Sequence, residues 1–242
     1  MERRHFLLIA ALLLLFIPGP STAAAPKCLD CHGDKKKHKV VHAALEMGCD
    51  SCHVGTHAGK KPAPKLTAKV PDLCYTCHDK DQILKARSHA PVADGMCTAC
   101  HDPHGSGQPK LLVAAVPDLC FTCHSADTLG KKNVHASAAQ GKCLTCHAPH
   151  SSASAYVLTQ LVEEHCLSCH DDITDKHVLA RVSPGDSHPL RGKSDPLRKG
   201  KDLACASCHN PHAEGQAKAV PLKSREPADI CLRCHRKARM GP

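Results

Sequence analysis

Residues 70–78 read Val-Pro-Asp-Leu-Cys-Tyr-Thr-Cys-His, and residues 116–124 repeat them as Val-Pro-Asp-Leu-Cys-Phe-Thr-Cys-His. Each copy ends in the unit Cys-x-x-Cys-His, and nine such units use all 18 cysteines of the chain. Residues i, i+3 and i+4 of a helical turn share one face, so both thiols and the imidazole point to one side. This unit is the attachment signature of haem c. Because every cysteine belongs to such a unit, the pattern argues against a disulfide framework or zinc ribbons.

The nine units define the predicted haem ligands. The predicted covalent ligands are Cys28, Cys31, Cys49, Cys52, Cys74, Cys77, Cys97, Cys100, Cys120, Cys123, Cys143, Cys146, Cys166, Cys169, Cys205, Cys208, Cys231 and Cys234. The predicted proximal iron ligands are His32, His53, His78, His101, His124, His147, His170, His209 and His235. The sequence therefore predicts nine covalently attached haem c groups, and it indicates no catalytic residue.

The motifs belong to an internal repeat. Cys28, Cys74, Cys120 and Cys166 are spaced by 46 residues, and each repeat holds an A motif followed by a B motif. The predicted two-haem repeats are 28–73, 74–119, 120–165 and 166–230, followed by a ninth haem in 231–242. One supersecondary unit copied along the chain predicts an extended haem row within a single domain, 25–242.

Composition predicts an unusual interior. Aromatic residues make up 2% of the chain and Trp is absent, so side chains alone offer little to fill a core. We expect a haem-filled core within a mostly irregular fold of short α-helices, with essentially no sheet. Segments 105–107 and 151–154, rich in Gly and Ser, are predicted to be loops. The 34 residues between His170 and Cys205 predict a surface excursion or a bend in the row.

Further histidines recur at fixed offsets from the motifs, which predicts a second, distal ligand for each iron. His89 and His135 each lie 11 residues beyond an A-motif histidine, and the B-motif histidines are followed three residues later by another histidine in repeats two to four. The predicted distal ligands are His42, His57, His89, His104, His135, His150, His188 and His212. The ninth distal ligand is left open between His177, which we favour, and His38 or His165, with Met240 or a histidine of a neighbouring subunit as further options.

The first 24 residues are predicted to be a signal peptide. Basic residues precede an apolar stretch from Phe6 to Ile17, which is followed by small residues up to Ala25. This predicts export to the periplasm, or to an outer-membrane-associated or extracellular position, and a mature chain without a membrane span. The net charge of +9 would suit nucleic acid, but haem propionates would offset it, so no nucleic-acid partner is predicted.

The pattern from His89 to Cys97-Thr98-Ala99-Cys100-His101-Asp102-Pro103-His104, repeated from His135 to His150, resembles the doubled Cys-x-x-Cys-His cytochromes of the cytochrome c3-like multihaem class. The resemblance implies bis-histidine, low-potential haems that carry electrons, with redox proteins, an outer-membrane porin and an extracellular cytochrome as partners. Two alternatives remain. One is a multihaem reductase of a nitrogen or sulfur oxyanion, and the other is a subunit of an extracellular cytochrome filament. The sequence does not indicate the oligomeric state.

Overall fold

The computed structural model describes residues 28–55, 65–129, 134–176 and 185–213, together with Cys231, Cys234 and His235. The predicted signal peptide, the candidate ligands His57 and His177, and Met240 lie outside the described residues.

The helices are short, as the sequence predicts. The α-helices of the described ranges are α1 Cys28–His32, α2 Asp72–Tyr75, α3 Lys80–Ile83, α4 Ala90–Ala93, α5 Asp118–Phe121, α6 Ala136–Ala139, α7 Val162–Leu167 and α8 Cys205–Cys208. Single 3-10 turns occupy Gly33–Lys36, Ala43–Met47, Cys49–Ser51, Cys97–Ala99, Pro109–Leu111, Ala126–Leu129, Cys143–Thr145 and Ala155–Val157. None of the helices in these ranges has the length and apolar character needed to cross a bilayer. The prediction of a mostly irregular fold with short helices is confirmed.

The strands are two residues long and pair at long range. They are β1 Val40–Val41, β2 His53–Val54, β3 Lys65–Leu66, β4 Arg87–Ser88, β5 Gly105–Ser106 and β6 Ser151–Ser152. Three antiparallel pairs form, β1 with β5, β2 with β3, and β4 with β6. An isolated bridge between Val134 and Ala213 stands where the next such pair would lie. These small pairs leave the prediction of essentially no sheet intact.

The loop prediction was wrong at two places, because Gly105–Ser106 and Ser151–Ser152 are strands. Their partners lie in the preceding repeat, so local composition could not reveal them. The hydroxyl groups of Ser106 and Ser152 donate hydrogen bonds to the carbonyls of Leu112 and Leu158, six residues onward in each case. Serine satisfies its own polar group in this way and can be buried in a strand.

The described residues enclose a cavity instead of an apolar core. Among them, Ala213 is the one buried hydrophobic residue, whereas Ser106, Ser151, Ser152 and Asp195 are buried polar residues. A continuous cavity of about 4860 Å³ runs through the molecule, and every described cysteine except Cys234 lines it. Pockets for one small ligand measure about 300–1,000 Å³. The cavity therefore has room for several large groups, and the cysteines surround it.

The lengthened fourth repeat is anchored to its second motif. Arg198 donates to Asp195 Oδ2 at 2.5 Å from Nε and to Ser207 Oγ at 2.5 Å from Nη2. Ser207 lies inside the Cys205–Cys208 helix, and Asp195 is buried. Burial alone would raise the pKa of Asp195, but hydrogen bonds from Ser207, Arg198 and the Leu197 N–H outweigh it and lower that pKa. The described end of this segment therefore contacts the eighth motif through the Arg198 guanidinium.

In the second and third repeats, a glycine before the B motif lets the A and B motifs come close to each other. Gly95 has φ +72°, and an added Cβ would lie 2.6 Å from Pro71 Cδ. Gly141 has φ +68°, and the same atom would lie 2.9 Å from Pro117 Cδ. Each proline stands three residues before the first cysteine of an A motif, and each glycine stands two residues before that of a B motif. Glycine is required because the backbone is left-handed and the proline ring occupies the side-chain position.

Replacing Gly95 by Ala should destabilise the haem-loaded protein by about 2 kcal/mol or more, because the strained φ and the clash with Pro71 add together. The measurement is denaturant-induced unfolding followed by haem absorbance. Gly107→Ala is the matched control, since nothing lies within 4 Å of a Cβ at Gly107. Equal stability of the two variants would contradict the proposed role of the proline–glycine contact.

Candidate haem-binding site

Each attachment motif forms the tight turn that its spacing predicts. In seven motifs the N–H of the histidine donates to the carbonyl of the first cysteine, four residues earlier, at 2.8–3.0 Å. The donors are His78, His101, His124, His147, His170, His209 and His235. This bond closes one helical turn, so two thiols and an imidazole share a face.

The histidines of the motifs face the other recurrent histidines in pairs. Seven such pairs occur among the described residues, with ring centroids separated by 5.8–6.3 Å. They are His78 with His42, His53 with His104, His124 with His89, His101 with His150, His170 with His135, His147 with His212, and His235 with His188.

The geometry of these pairs fits a metal held between two imidazoles. An imidazole nitrogen binds a transition metal at about 2 Å, so two on opposite sides of one ion place their ring centroids about 6 Å apart. The angle between the ring planes varies from 5° in the His53–His104 pair to 77° in the His188–His235 pair. Rotation of a ring about a shared metal–nitrogen axis changes the angle between the ring planes but leaves the centroid separation the same. In direct ring stacking, by contrast, the separation changes with the angle. Together with the paired thiols and the large cavity, the residues fit haem c.

The pairs join different repeats and follow a rule. In four of the described pairs, a histidine from the segment between an A and a B motif faces the A motif of the next repeat, as His89 faces His124 and His188 faces His235. In the other three, a histidine three residues after a B motif faces the B motif of the preceding repeat, as His104 faces His53. By this rule the ninth motif is a fifth A motif. The sequence offsets identified these histidines but did not indicate which motif each one faces.

A backbone clamp holds the distal histidines two at a time. The N–H of His42 donates to the carbonyl of His104 at 2.9 Å, and the N–H of His89 donates to the carbonyl of His150 at 2.9 Å. The pairings of β1 with β5 and of β4 with β6 lie beside these two bonds. In the third clamp the N–H of His135 donates to the carbonyl of His212 at 3.0 Å. The short strands therefore position two of the predicted distal histidines, which face the histidines of neighbouring motifs.

Carbonyl groups fix the ring orientation of several of these histidines. Nδ1 of His42 lies 2.8 Å from the Pro103 carbonyl, and Nδ1 of His89 lies 3.1 Å from that of Pro149. A carbonyl only accepts, so Nδ1 carries the proton and donates. Nε2 then presents its lone pair, which is the form of histidine that binds a metal.

Backbone strain occurs where two proximal histidines are oriented. Lys110 and Tyr156 both have φ +58°, in a region that residues other than glycine rarely adopt. The Lys110 carbonyl accepts a hydrogen bond from His101 Nδ1 at 2.8 Å, and the Tyr156 carbonyl accepts one from His147 Nδ1 at 3.1 Å. Sequence reasoning missed these residues, since neither glycine nor asparagine marks the strained positions.

Electrostatics favour the neutral, metal-binding form of two distal histidines. Burial lowers the pKa of His104, and the adjacent Asp102 opposes this effect only partly. Burial, together with His101 and His89, lowers the pKa of His150. Asp102 itself accepts the backbone N–H groups of His104 and Gly105, and the first of these bonds is the main cause of its lowered pKa.

The cysteines of successive motifs lie next to one another. Within repeats, burial and then the thiol of Cys97 raise the pKa of Cys74, and burial and then the thiol of Cys143 raise that of Cys120. A hydrogen bond with Cys205 is the main cause of the raised pKa of Cys166.

Contacts between repeats follow the same order. Burial and then Cys123 raise the pKa of Cys100, burial and then Cys169 raise that of Cys146, and burial and then Cys234 raise that of Cys208. The motifs therefore form a row that follows their order in the sequence.

The remaining candidates differ in their surroundings. His165 lines the cavity, with Nδ1 3.3 Å from Gln160 Oε1 and a buried Nε2 that has no hydrogen-bond partner among the described residues. His38 is exposed. It packs against Gly105, because a Cβ added to Gly105 would lie 2.7 Å from the Cβ of His38.

Comparison with known proteins agrees with the repeat. The doubled CXXCH motif family matches residues 42–83, 89–129, 135–175 and 195–240. The chain therefore belongs to this family, and it is a multihaem c-type cytochrome. It is 33% identical over 96 residues to the multiheme cytochrome MtrA of Shewanella baltica (strain OS185). This match covers 36% of the chain and 28% of that relative.

The rule for facing histidines predicts which haem loses a ligand when one histidine is removed. His42→Ala should create one high-spin haem that binds carbon monoxide when reduced. In a background without the third haem, made by Cys74→Ala with Cys77→Ala, His42→Ala should create none, because the haem that it serves is absent. Carbon monoxide titration counts the open sites.

His89→Ala in the same background is the matched control. It should still open one haem, since His89 faces His124 of the following repeat. A carbon monoxide-binding haem produced by His42→Ala in the background without the third haem would contradict the rule.

Proposed function

We propose that this protein carries electrons along nine covalently bound haem c groups, each held between two histidines. The observation that carries the proposal is the combination of facing histidine pairs with a row of motifs in sequence order. A haem c group at each motif would supply an iron that takes up and releases one electron.

The chain's own residues tether and orient these groups. The two cysteines of a motif would tether the group, and the histidine of the same turn would be one of its two iron ligands. The facing histidine would be the other, with its Nδ1–H held by a carbonyl as in His42 and His89. Such second-layer hydrogen bonds keep the ring in place and increase its donor strength.

Nine haems would need two more pairs of histidine ligands than the seven pairs found among the described residues. His32 and His209 are the proximal histidines of the first and eighth motifs. The proposal assigns to them the predicted ligands His57 and His177. His57 follows the second motif, and burial and then the Cys28 thiol of the first motif raise the pKa of its Cys49. His177 follows the seventh motif, in which the Cys166 thiol forms a hydrogen bond with Cys205 of the eighth motif.

Electron transfer is favoured over reduction of a small molecule because ligands on both sides leave an iron no open position. A reductase of nitrogen or sulfur oxyanions needs such a position beside a shaped pocket. At the seven described pairs the two facing imidazoles would both bind the iron, so exchange through haem edges is the reaction that this arrangement would suit.

We further propose that the protein works after export, with the predicted signal peptide removed, in the periplasm or at the outer membrane. Its partners would be redox proteins that exchange electrons with the ends of the row, including a porin-bound or extracellular cytochrome. The similarity to a multiheme cytochrome supports redox proteins as partners.

The mature protein, made together with a haem-maturation system, should carry nine haems. Intact mass and the pyridine haemochrome assay give the number independently of each other. Homogeneous material with eight or fewer haems would contradict the proposal that every motif is filled.

The reduced protein should pass electrons to soluble ferric chelates, which react at an exposed haem edge, and show little or no turnover of nitrite, hydroxylamine or tetrathionate. Stopped-flow absorbance of the reduced haem band measures both. Multiple turnovers with any of the last three compounds would assign the protein to the reductases instead.

A further inference from the structure

The residue that follows the histidine of a B motif differs in charge between repeats. It is Asp102 in the second repeat, Ala148 in the third and Asn210 in the fourth. In each case a distal histidine comes two residues later, namely His104, His150 and His212. Three otherwise equivalent sites thus carry a carboxylate, a methyl group and an amide.

The carboxylate of Asp102 lies against the outer edge of a distal ring. Its Oδ1 accepts the His104 N–H at 2.8 Å and lies 3.7 Å from His104 Nδ1. The His104 ring faces that of His53 at 6.0 Å, with 5° between the planes. The carboxylate lies beside Nδ1, so Nε2 is the ring nitrogen left to bind an iron between the two rings.

A carboxylate at this place has a defined electronic effect. Negative charge beside Nδ1 strengthens the imidazole as a donor and stabilises the more positive, oxidised iron. Charge and hydrogen bonding around the ligands are among the factors by which a protein sets a haem potential. The backbone part of the contact is not special to Asp102, since Asn210 Oδ1 accepts the His212 N–H at 3.1 Å.

We propose that Asp102 lowers the reduction potential of the second haem, held by Cys49 and Cys52, relative to the same haem without the carboxylate beside His104. This inference rests on the proposed function, because it requires a haem between His53 and His104. Asp102 is a tuning residue that acts through His104.

Asp102→Asn tests the charge alone, because asparagine retains the acceptor for the His104 N–H as Asn210 does in the fourth repeat. Potentiometric titration of the nine-haem protein records the number of reduced haems against potential. The area between the curves of two variants gives the summed shift even when the individual waves overlap. We expect a shift to higher potential equal to about a tenfold change in the reduction equilibrium of one haem, or about 59 mV.

Ala148→Asp is the reverse variant and should shift the curve to lower potential by installing the charge beside His150. Asp81→Asn is the control, because it removes one charge at an exposed position outside the cavity lining. It measures the shift caused by the loss of any surface charge. Higher ionic strength should reduce the effect of Asp102→Asn, because the Asp102 side chain is 41% exposed and is screened by salt.

The proposal is overturned if Asp102→Asn shifts the curve no more than Asp81→Asn, or if Ala148→Asp shifts it in the same direction as Asp102→Asn. A failure of the proposed function would be different. The peptide of the unaltered protein that contains Cys49 and Cys52 would then carry no haem in peptide mass mapping, or the oxidised protein would show a high-spin iron that His104→Ala leaves unchanged in amount.

Discussion

In each described pair, two imidazole rings must face each other with their centroids about 6 Å apart, which leaves room for one haem between them. The chain takes the two rings from different repeats. Local helix formation can place a thiol pair and one imidazole, but it cannot place the second imidazole. The second ring arrives from a distant part of the chain, and the small strands serve this purpose. This requirement explains why the structure has little regular secondary structure and yet a strict order.

The same requirement accounts for the lack of an apolar core among the described residues. The residues that line the cavity would surround large planar haem groups, so they pack less against one another than side chains in an ordinary protein interior. Ala213 alone is a buried hydrophobic residue among those described. The bound groups must therefore provide most of the apolar surface that stabilises the fold, since the chain cannot offset its ordering entropy without them.

The sequence predicted the parts of this architecture that depend on short spacings. Motif turns, the 46-residue repeat, the irregular fold and the family all follow from residues within a few positions of a cysteine. The partners of the distal histidines did not follow, because the contact of His42 with His78 depends on a clamp to His104 in the next repeat. The strands at Gly105–Ser106 and Ser151–Ser152 were missed for the same reason. The strained carbonyls of Lys110 and Tyr156 have no residue type that marks them.

The direction of the ligand exchange bears on how such a chain can change in length. Histidines of the A-to-B segments reach forward, and histidines after the B motifs reach backward, as the pairs His89–His124 and His104–His53 illustrate. On the proposed ligation, a 46-residue copy inserted between two repeats would receive one ligand from each neighbour and supply one to each. Gene duplication in the interior could therefore lengthen the conductor by two haems at a time, while both terminal sites, and the partners that recognise them, stay unchanged.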